Sequence, residues 1–446
     1  MSNRYDIGLV TSDKQLTQRI TEISKEFDYT VKIYASIDEF LDSKFEQSVL
    51  LAFVKDEKNP NMAAELAQSA KHVDASSYVI CGVAKSLPKE VAAFAKKSGA
   101  DLILLEDELY NTSKLEFAIT QVLRAAYLPL KSSDILPGKA LPFELFHLMP
   151  QRKKFVKFIF KGDVPDEAKV KKIAEVGEVY VHRSKTTLYK KYIEELNDRT
   201  NLGLARRCRA QFLALYSQFS HLVLTLTDQT ERASFGEGEK LLSSCREICQ
   251  DLLGTLGEFS SAWDIVNNST IGEFGSVERA PAIAAYASLF SLQCSLSKID
   301  EIMLVSLLID LGMVFLTPDI TKKIREDRMA EFTPEELTAY HKYPQISMDV
   351  VLDRKIALSE KMRSIFLAVH ERADGKGFPK GLFSEKIPIE SQMIQFSKEF
   401  DRRTALRIGK ARIDQSVVRN QMIAEEIQKM DRFTAPFLDS VKRGFS

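Results

Sequence analysis

Short apolar runs alternate with stretches of helical spacing along the first 128 residues. The runs lie at residues 5–10, 29–34, 49–54, 78–83 and 102–105. Between them, apolar residues recur every three or four positions, which is the spacing of a helix with one buried face. Five strands that alternate with helices predict a doubly wound α/β domain built on a parallel sheet.

The pattern changes after residue 128. A passage rich in Pro, Gly and Ser is followed by a basic–apolar alternation at 155–160, a strand signal at 178–181 and an amphipathic stretch at 188–196. Residues 129–200 are therefore predicted to form a linker and a small α/β accessory domain. Four lysines here are interpreted as a solvated strand face, with a phosphate-binding patch as the alternative. They are Lys153, Lys154, Lys157 and Lys161.

Helical spacing dominates the rest of the chain. Apolar residues such as Phe212, Leu215 and Phe219 follow it with few breakers between them. Residues 201–446 are therefore predicted to be a helical region, in which packed helices lead into a C-terminal domain. The chain as a whole is predicted to be multidomain.

Composition narrows the choice of partners and compartment. Lys plus Arg and Asp plus Glu number 62 each, so no net charge attracts nucleic acid or an anionic membrane. The richest apolar stretch, 303–316, is too short to span a bilayer and contains Asp310. No secretory signal is evident, and the five scattered cysteines are interpreted as reduced thiols. We expect a cytoplasmic protein with no nucleic-acid partner and no membrane insertion.

The first 128 residues resemble a response-regulator receiver domain. The resemblance rests on the order of the elements and on the GADLILL run at residues 99–105. The resemblance implies an acidic pair, a phosphoacceptor Asp and a Lys. Asp13 is the only acid near the first position, the acceptor position falls at Ala52 or Phe53, and the Lys position falls near Glu106. Without a carboxylate nucleophile no aspartyl phosphate forms.

Asp56 is the one alternative acceptor, because it lies a few residues downstream of the expected position. An acid in such a polar loop is more often simply solvated. We therefore interpret residues 1–128 as a pseudo-receiver that serves as an interaction or dimerisation module.

The strongest local signal is HERADGKGFPKGL at residues 370–382. It resembles the loop motif of the HD-GYP family of cyclic-di-GMP phosphodiesterases, with Phe378 where that family has its Tyr. Two upstream segments match in the same order, SLLIDLGMV and FTPEELTAYHKYPQIS, and Thr333 with Glu336 predicts a capping box in the second. The resemblance covers a core at about 275–420 and implies an all-α, HD-type helical bundle.

In this family, His and Asp side chains gather metal ions, and the resemblance identifies their positions here. Three ligand positions are retained, at Asp310, His370 and Asp401. At the others the chain has residues that do not bind metal: Ile309, Tyr343, Val369, Lys398 and, by a looser alignment, Arg279. His341 lies two positions from Tyr343, about 200° away around a helix, and is expected to be a poor substitute. We predict no metal cofactor, with iron, manganese or zinc as the alternative.

The loop sequence matches the family motif better than the metal-ligand positions do. The resemblance implies that five loop residues shape the loop and approach a nucleotide: Arg372, Asp374, Gly375, Lys376 and Gly377. Arg offers a planar fork of donors to phosphate or guanine, and Gly allows close approach of the backbone. The alternative is that the loop locks helices together or faces a partner protein.

These expectations converge on signalling. The prediction is a non-catalytic scaffold or regulator in a cyclic-di-GMP-type bacterial pathway, a pseudo-enzyme that binds cyclic-di-GMP without hydrolysis. The alternative is a metal-dependent cyclic-di-GMP phosphodiesterase with a rearranged metal site. Expected partners are signalling proteins, with diguanylate cyclases and polarity or motility factors as candidates, and a homodimer is a further candidate.

Overall fold

The computed structural model describes most of the chain in two compact units. The described residues are 4–43, 46–53, 62–73, 77–87, 89–123, 126–149, 154–176, 179–228, 235–258, 276–405 and 414–445. The first unit comprises residues 1–125, 223–237 and 313–321. The second comprises residues 126–222, 238–312 and 322–446.

The first unit contains the predicted doubly wound sheet. Its strands are β1 (Arg4–Val10), β2 (Val31–Tyr34), β3 (Glu46–Phe53), β4 (Tyr78–Val83) and β5 (Leu102–Leu105). They lie in the order β2-β1-β3-β4-β5 and all pairs are parallel. The helices are α1 (Lys14–Phe27), α2 (Ile37–Leu41), α3 (Met62–Val73), α4 (Lys89–Lys97), α5 (Glu106–Asn111) and α6 (Lys114–Leu123). This strand order is one of the two common doubly wound arrangements, so the predicted fold class is confirmed.

Apolar side chains fill the carboxyl edge of β1 and β3, where a receiver would be phosphorylated. Ala52 and Phe53 are buried, and the Phe53 ring packs edge-on against Tyr110 at 6.2 Å. The Thr11 hydroxyl donates to the Phe53 carbonyl oxygen at 2.9 Å. Asp13 caps α1 by accepting from the Leu16 N–H at 2.9 Å. Asp56, the alternative acceptor, lies outside the described residues.

The second unit begins with a four-stranded sheet. Its strands are β6 (Tyr127–Leu130), β7 (Leu145–Met149), β8 (Lys154–Ile159) and β9 (Val179–His182), in the order β6-β9-β7-β8 with antiparallel pairs. Helices α7 (Glu167–Val176) and α8 (Thr186–Glu194) belong to the same region. These elements have the small α/β fold that the sequence predicts here, and its bounds as a separate domain stay a prediction. Of the four lysines interpreted above as a strand face, Lys153 lies outside the described residues, and Lys157 is exposed with its Nζ 3.7 Å from Glu144.

The remaining helices form the predicted all-α region. They are α9 (Asn201–Leu226), α10 (Phe235–Glu258), α11 (Ala280–Gln293), α12 (Ile299–Leu308), α13 (Pro318–Arg325), α14 (Pro334–Asp353), α15 (Glu360–Ala368), α16 (Ile389–Thr404), α17 (Gln415–Lys429) and α18 (Ala435–Phe445). An aromatic core joins α11 to α16, where Phe290 packs edge-on against Phe396 and Phe400. None of the helices in the described ranges is long and apolar enough to cross a membrane.

Candidate functional site

Four side chains from separate segments of the helical region meet in one hydrogen-bonded group, which we call the Asp310 cluster. It consists of Asp310, which follows α12, Tyr343 on α14, His370, which follows α15, and Lys398 on α16. The Tyr343 hydroxyl donates to Asp310 Oδ1 at 3.0 Å and lies 2.6 Å from His370 Nε2. Lys398 Nζ lies 2.5 Å from Asp310 Oδ1 and 3.2 Å from the Tyr343 hydroxyl.

A tight contact between α12 and α14 positions Asp310. The Ser347 hydroxyl donates to the Ile309 carbonyl oxygen at 2.7 Å and accepts from the Gly312 N–H at 2.6 Å. A Cβ atom at Gly312 would lie 2.3 Å from the Tyr343 carbonyl oxygen, so only Gly fits there. The turn that contains Asp310 is therefore fixed against the turn of α14 that contains Tyr343.

The start of α14 has the local order that the sequence predicts. The Thr333 hydroxyl accepts from the Glu336 N–H at 3.3 Å, and the Glu336 carboxylate accepts from the Thr333 N–H at 2.7 Å. This capping box satisfies two N–H groups that a helix terminus would otherwise leave unpaired. The predicted capping box is confirmed.

Burial sets the protonation of the cluster. Burial and the Asp310 charge raise the pKa of Tyr343 well above its usual value, so the phenol keeps its proton. Burial, and then the charge of Lys398, hold the pKa of His370 well below its usual value, so the imidazole is neutral. If His370 Nε2 carries the imidazole proton, the three contacts of the Tyr343 hydroxyl are mutually consistent: it donates to Asp310 and accepts from His370 and Lys398.

The loop ring at Phe378 lies between two imidazoles. Its ring stacks on His370 with centroids 4.7 Å apart and on His341 with centroids 4.2 Å apart. His341 was expected to turn away from the site. In the structure its ring stacks on Phe378, which also stacks on His370, and its weakness as a substitute ligand stays a prediction.

Internal contacts fix the loop that carries the predicted ligand-binding residues. The buried Glu371 carboxylate accepts from the Lys380 N–H at 2.7 Å and from the Leu382 N–H at 2.8 Å. A Cβ atom at Gly377 would lie 2.4 Å from the backbone nitrogen of Arg372, so a side chain does not fit at that position. The sequence analysis did not single out Glu371, although a carboxylate next to a Gly-rich loop can accept hydrogen bonds from the backbone N–H groups of that loop.

The charged loop residues pair with each other and with one distant acid. Arg372 donates to both carboxylate oxygens of Asp374, at 3.0 and 2.8 Å, and to Asp431 at 2.9 Å. Asp374 also accepts from the Lys376 N–H at 3.0 Å, and the Lys376 side chain is exposed. Gly375 adopts a positive φ of 75°, which its lack of a Cβ permits. The five predicted residues are therefore close together, and Asp431 is a sixth member that the sequence did not indicate.

The retained acidic position at Asp401 lies in a separate pair. The Arg279 guanidinium donates to both of its carboxylate oxygens, from Nε at 3.1 Å and from Nη2 in a shorter contact. Both side chains are almost fully buried. Asp401 is thus neutralised by Arg279, as Asp310 is by Lys398.

This donor set does not fit a pair of metal ions. Ile309 and Val369 are fully buried apolar residues, and basic side chains contact both retained carboxylates. Within the described ranges, no three His, Cys, Asp or Glu side chains come together as a metal-binding group. A cation placed at either carboxylate would meet an ammonium or a guanidinium group already there.

Glu399, the neighbour of Lys398 on α16, gives a prediction about pH. It accepts from Arg402 Nε at 2.8 Å and from Arg403 Nε at 2.7 Å. Burial acts to raise the pKa of Glu399, but the two arginines outweigh it and lower the pKa to about 2. A lowered folded pKa contributes stability above the unfolded value of 4.5, and this is lost as the pH falls toward the folded value.

We expect Glu399→Gln to cost about 2 to 3 kcal/mol of unfolding free energy near pH 7 and to flatten its acid dependence. Urea unfolding at a series of pH values measures both. Glu426→Gln is the matched control with the opposite sign, because burial raises the pKa of Glu426 and folding therefore works against its charge. Parallel pH profiles for wild type and Glu399→Gln below about pH 5 would contradict this prediction.

The chain is similar to known proteins in its C-terminal part. Residues 264–432 match the family model of the HD domain. The cyclic di-GMP phosphodiesterase response regulator RpfG of Xanthomonas campestris pv. campestris is 25% identical over 166 residues, 36% of this chain and 41% of RpfG. The cyclic di-GMP phosphodiesterase PdeB of Borreliella burgdorferi is 40% identical over 100 residues, 22% of this chain and 24% of PdeB. The chain thus spans less than half the length of either relative.

Among solved structures, the chain is similar to one described as Bd1817, a HDG"Y"P protein from Bdellovibrio bacteriovorus. The sequence identity is 13% and the TM-score 0.44, with 71% of this chain and 98% of that chain covered. The family match and the two relatives show that the C-terminal part contains an HD domain, which confirms the predicted resemblance. They also correct one prediction. Both relatives are named as phosphodiesterases, so the prediction that this protein is not an enzyme is wrong.

Proposed function

We propose that this chain, with an HD domain in its C-terminal part, is a regulator in cyclic-di-GMP signalling that acts by binding the dinucleotide at the loop around Arg372. The observation that supports this most is the prearranged loop. Glu371 holds its ends and Arg372 is fixed between Asp374 and Asp431. A loop that is ordered before binding loses little entropy when a ligand arrives.

The donors left over in this loop match the chemistry of a phosphodiester. Within the described part of the chain, Arg372 donates to Asp374 and Asp431 from Nε and Nη2, which leaves Nη1 for a ligand. The ammonium of Lys376 is exposed two residues beyond Asp374. Phosphate oxygens accept strongly from both kinds of group. The N-terminal receiver-like domain would then serve as the interaction module for a partner protein.

Calorimetric titration of the full chain with cyclic-di-GMP tests this proposal. We expect Arg372→Ala to weaken binding by about 10- to 100-fold, because a hydrogen bond to a charged group contributes about 1.5 to 3 kcal/mol. Lys380→Ala is the matched control, since it removes the same charge from an exposed position of the same loop. We expect it to bind like the wild type, and a thermal melt of each variant checks that the fold is intact.

Two outcomes would count against cyclic-di-GMP binding at this loop. Wild-type protein that gives no heat of binding would leave the loop as a contact for a partner protein. Equal loss of affinity in Arg372→Ala and Lys380→Ala would show general attraction by positive charge and not a site.

A second candidate function is a metal-dependent cyclic-di-GMP phosphodiesterase with a rearranged metal site. The names of both curated relatives favour it. Chromatography of cyclic-di-GMP incubated with the protein and iron, manganese or zinc tests it through formation of the linear dinucleotide. Product that disappears in Asp310→Asn would establish this activity and its dependence on the Asp310 cluster. No product with any of the three metals would sink it.

A further inference from the structure

The Asp310 cluster surrounds a cation that the chain itself provides. Asp310 and His370 supply a carboxylate and an imidazole, which bind metal ions in proteins, and Tyr343 adds a phenol hydroxyl that is hydrogen-bonded to both. The ammonium of Lys398 reaches two of them directly, at 2.5 Å from Asp310 Oδ1 and 3.2 Å from the Tyr343 hydroxyl. We propose that Lys398 is a built-in cation that stands beside Asp310 in the place of a metal ion.

Charge explains why the cluster needs a cation. Asp310 is only 2% exposed, and a carboxylate taken out of water is costly unless an opposite charge and hydrogen bonds compensate it. Tyr343 gives Asp310 a hydrogen bond and no positive charge. Among the described neighbours that hydrogen-bond Asp310, Lys398 is the positively charged one.

Exclusion follows from the same geometry. A divalent ion bound to Asp310 would lie against Nζ of Lys398, which already contacts Asp310 Oδ1. Two cations in contact repel each other strongly in a poorly hydrated site. The ammonium also contacts the Tyr343 hydroxyl at 3.2 Å, so two oxygen atoms hold it beside Asp310. The folded cluster is therefore complete without metal, and removal of Lys398 should leave a group of donors around an uncompensated negative charge.

The Arg279–Asp401 pair repeats this arrangement at a second carboxylate of the same domain. A basic residue again faces a buried acid, and it again stands at a position where the family resemblance implies a metal ligand. At both Asp310 and Asp401 a basic residue thus compensates the charge of a buried carboxylate, and the repetition argues against a chance pairing.

Thermal unfolding of the full chain with a chelator, with Mn²⁺ alone or with Zn²⁺ alone tests the proposal. We expect the wild-type Tm to be the same in all three conditions. Lys398→Met should lower the Tm by roughly 5 to 10 °C, since it leaves a buried carboxylate unpaired. Mn²⁺ or Zn²⁺ should then recover part of the loss, because the ion can enter the space of the ammonium.

The control variant is Lys398→Met with Asp310→Asn, which removes both charges. Its Tm should be closer to wild type than that of Lys398→Met, and it should not respond to metal. If Lys398→Met does not fold, Lys398→Gln provides the same comparison with a polar side chain.

Two results would overturn the proposal. One is a stoichiometric metal in the purified wild type, found by mass spectrometry, whose removal lowers the Tm. The other is equal stabilisation of the Lys398→Met and the doubly substituted proteins by metal. None of these measurements contains a nucleotide, so they succeed or fail independently of the proposed binding of cyclic-di-GMP.

Discussion

Replacing Arg279 by Met is expected to destabilise the second unit by about 3 to 5 kcal/mol, because it leaves Asp401 charged, buried and unpaired. Both side chains are almost inaccessible to water, and the guanidinium contacts both carboxylate oxygens. For a region of this size the loss corresponds to a fall in Tm of about 5 to 8 °C. Differential scanning calorimetry of the full chain measures it.

The double variant Arg279→Met with Asp401→Leu separates the charge from the packing. Buried ion pairs replaced by apolar residues of similar size are often neutral or stabilising, so most of the lost Tm should return. Arg328→Met is the matched control, because Arg328 pairs with Glu326 and Glu331 on the exposed surface. A loss of Tm in Arg328→Met as large as that in Arg279→Met would contradict this account.

Local patterns in the sequence predict the elements of this protein and the ends of some of them. The strand runs and helical spacing of the first 128 residues predict the doubly wound sheet. Thr333 and Glu336 predict the start of α14, because the two residues are only three apart and interact within one turn. Such signals need no knowledge of how distant segments pack.

The contacts that define the candidate site join segments far apart in the sequence. Lys398 and Asp310 are 88 residues apart, and Arg279 and Asp401 are 122 residues apart. The resemblance identified Lys398 and Arg279 as lost ligand positions, but it did not indicate that each neutralises a retained carboxylate. Periodicity indicates which face of a helix is buried, and it carries no information about which charge meets which across the bundle.

The prediction about catalysis failed for a different reason. It rested on the side-chain chemistry at single positions such as Tyr343 and Lys398, whereas the relatives named as phosphodiesterases match a whole segment. Residue chemistry tests whether a familiar metal site can form. It does not test whether the remaining side chains of the helical bundle support catalysis in another arrangement.

The second large effect is expected in the first unit, at a lysine that the sequence did not single out. Lys114 is fully buried at the start of α6, and its Nζ donates to Glu108 Oε1 and to the Thr227 carbonyl oxygen, both at 2.7 Å. Glu108 in turn accepts from the Leu105 N–H at 2.8 Å with its other oxygen. One ammonium thus neutralises a buried acid and satisfies a carbonyl oxygen of residues 223–237.

Lys114→Met is expected to cost the first unit about 3 to 5 kcal/mol, since Glu108 then remains charged in an apolar site. Hydrogen exchange read by mass spectrometry localises the loss, with peptides of β1 and β3 exchanging roughly 100-fold faster or more, and those of α11 and α16 unchanged. Adding Glu108→Gln removes the unpaired charge and should restore most of the protection. Lys85→Met, which breaks an exposed pair with Asp107, should exchange like the wild type.

Two results would contradict this prediction. Uniformly faster exchange in both units would show that Lys114→Met unfolds the chain globally. Exchange in Lys114→Met as slow as in the wild type would show that water reaches Glu108 and solvates its charge.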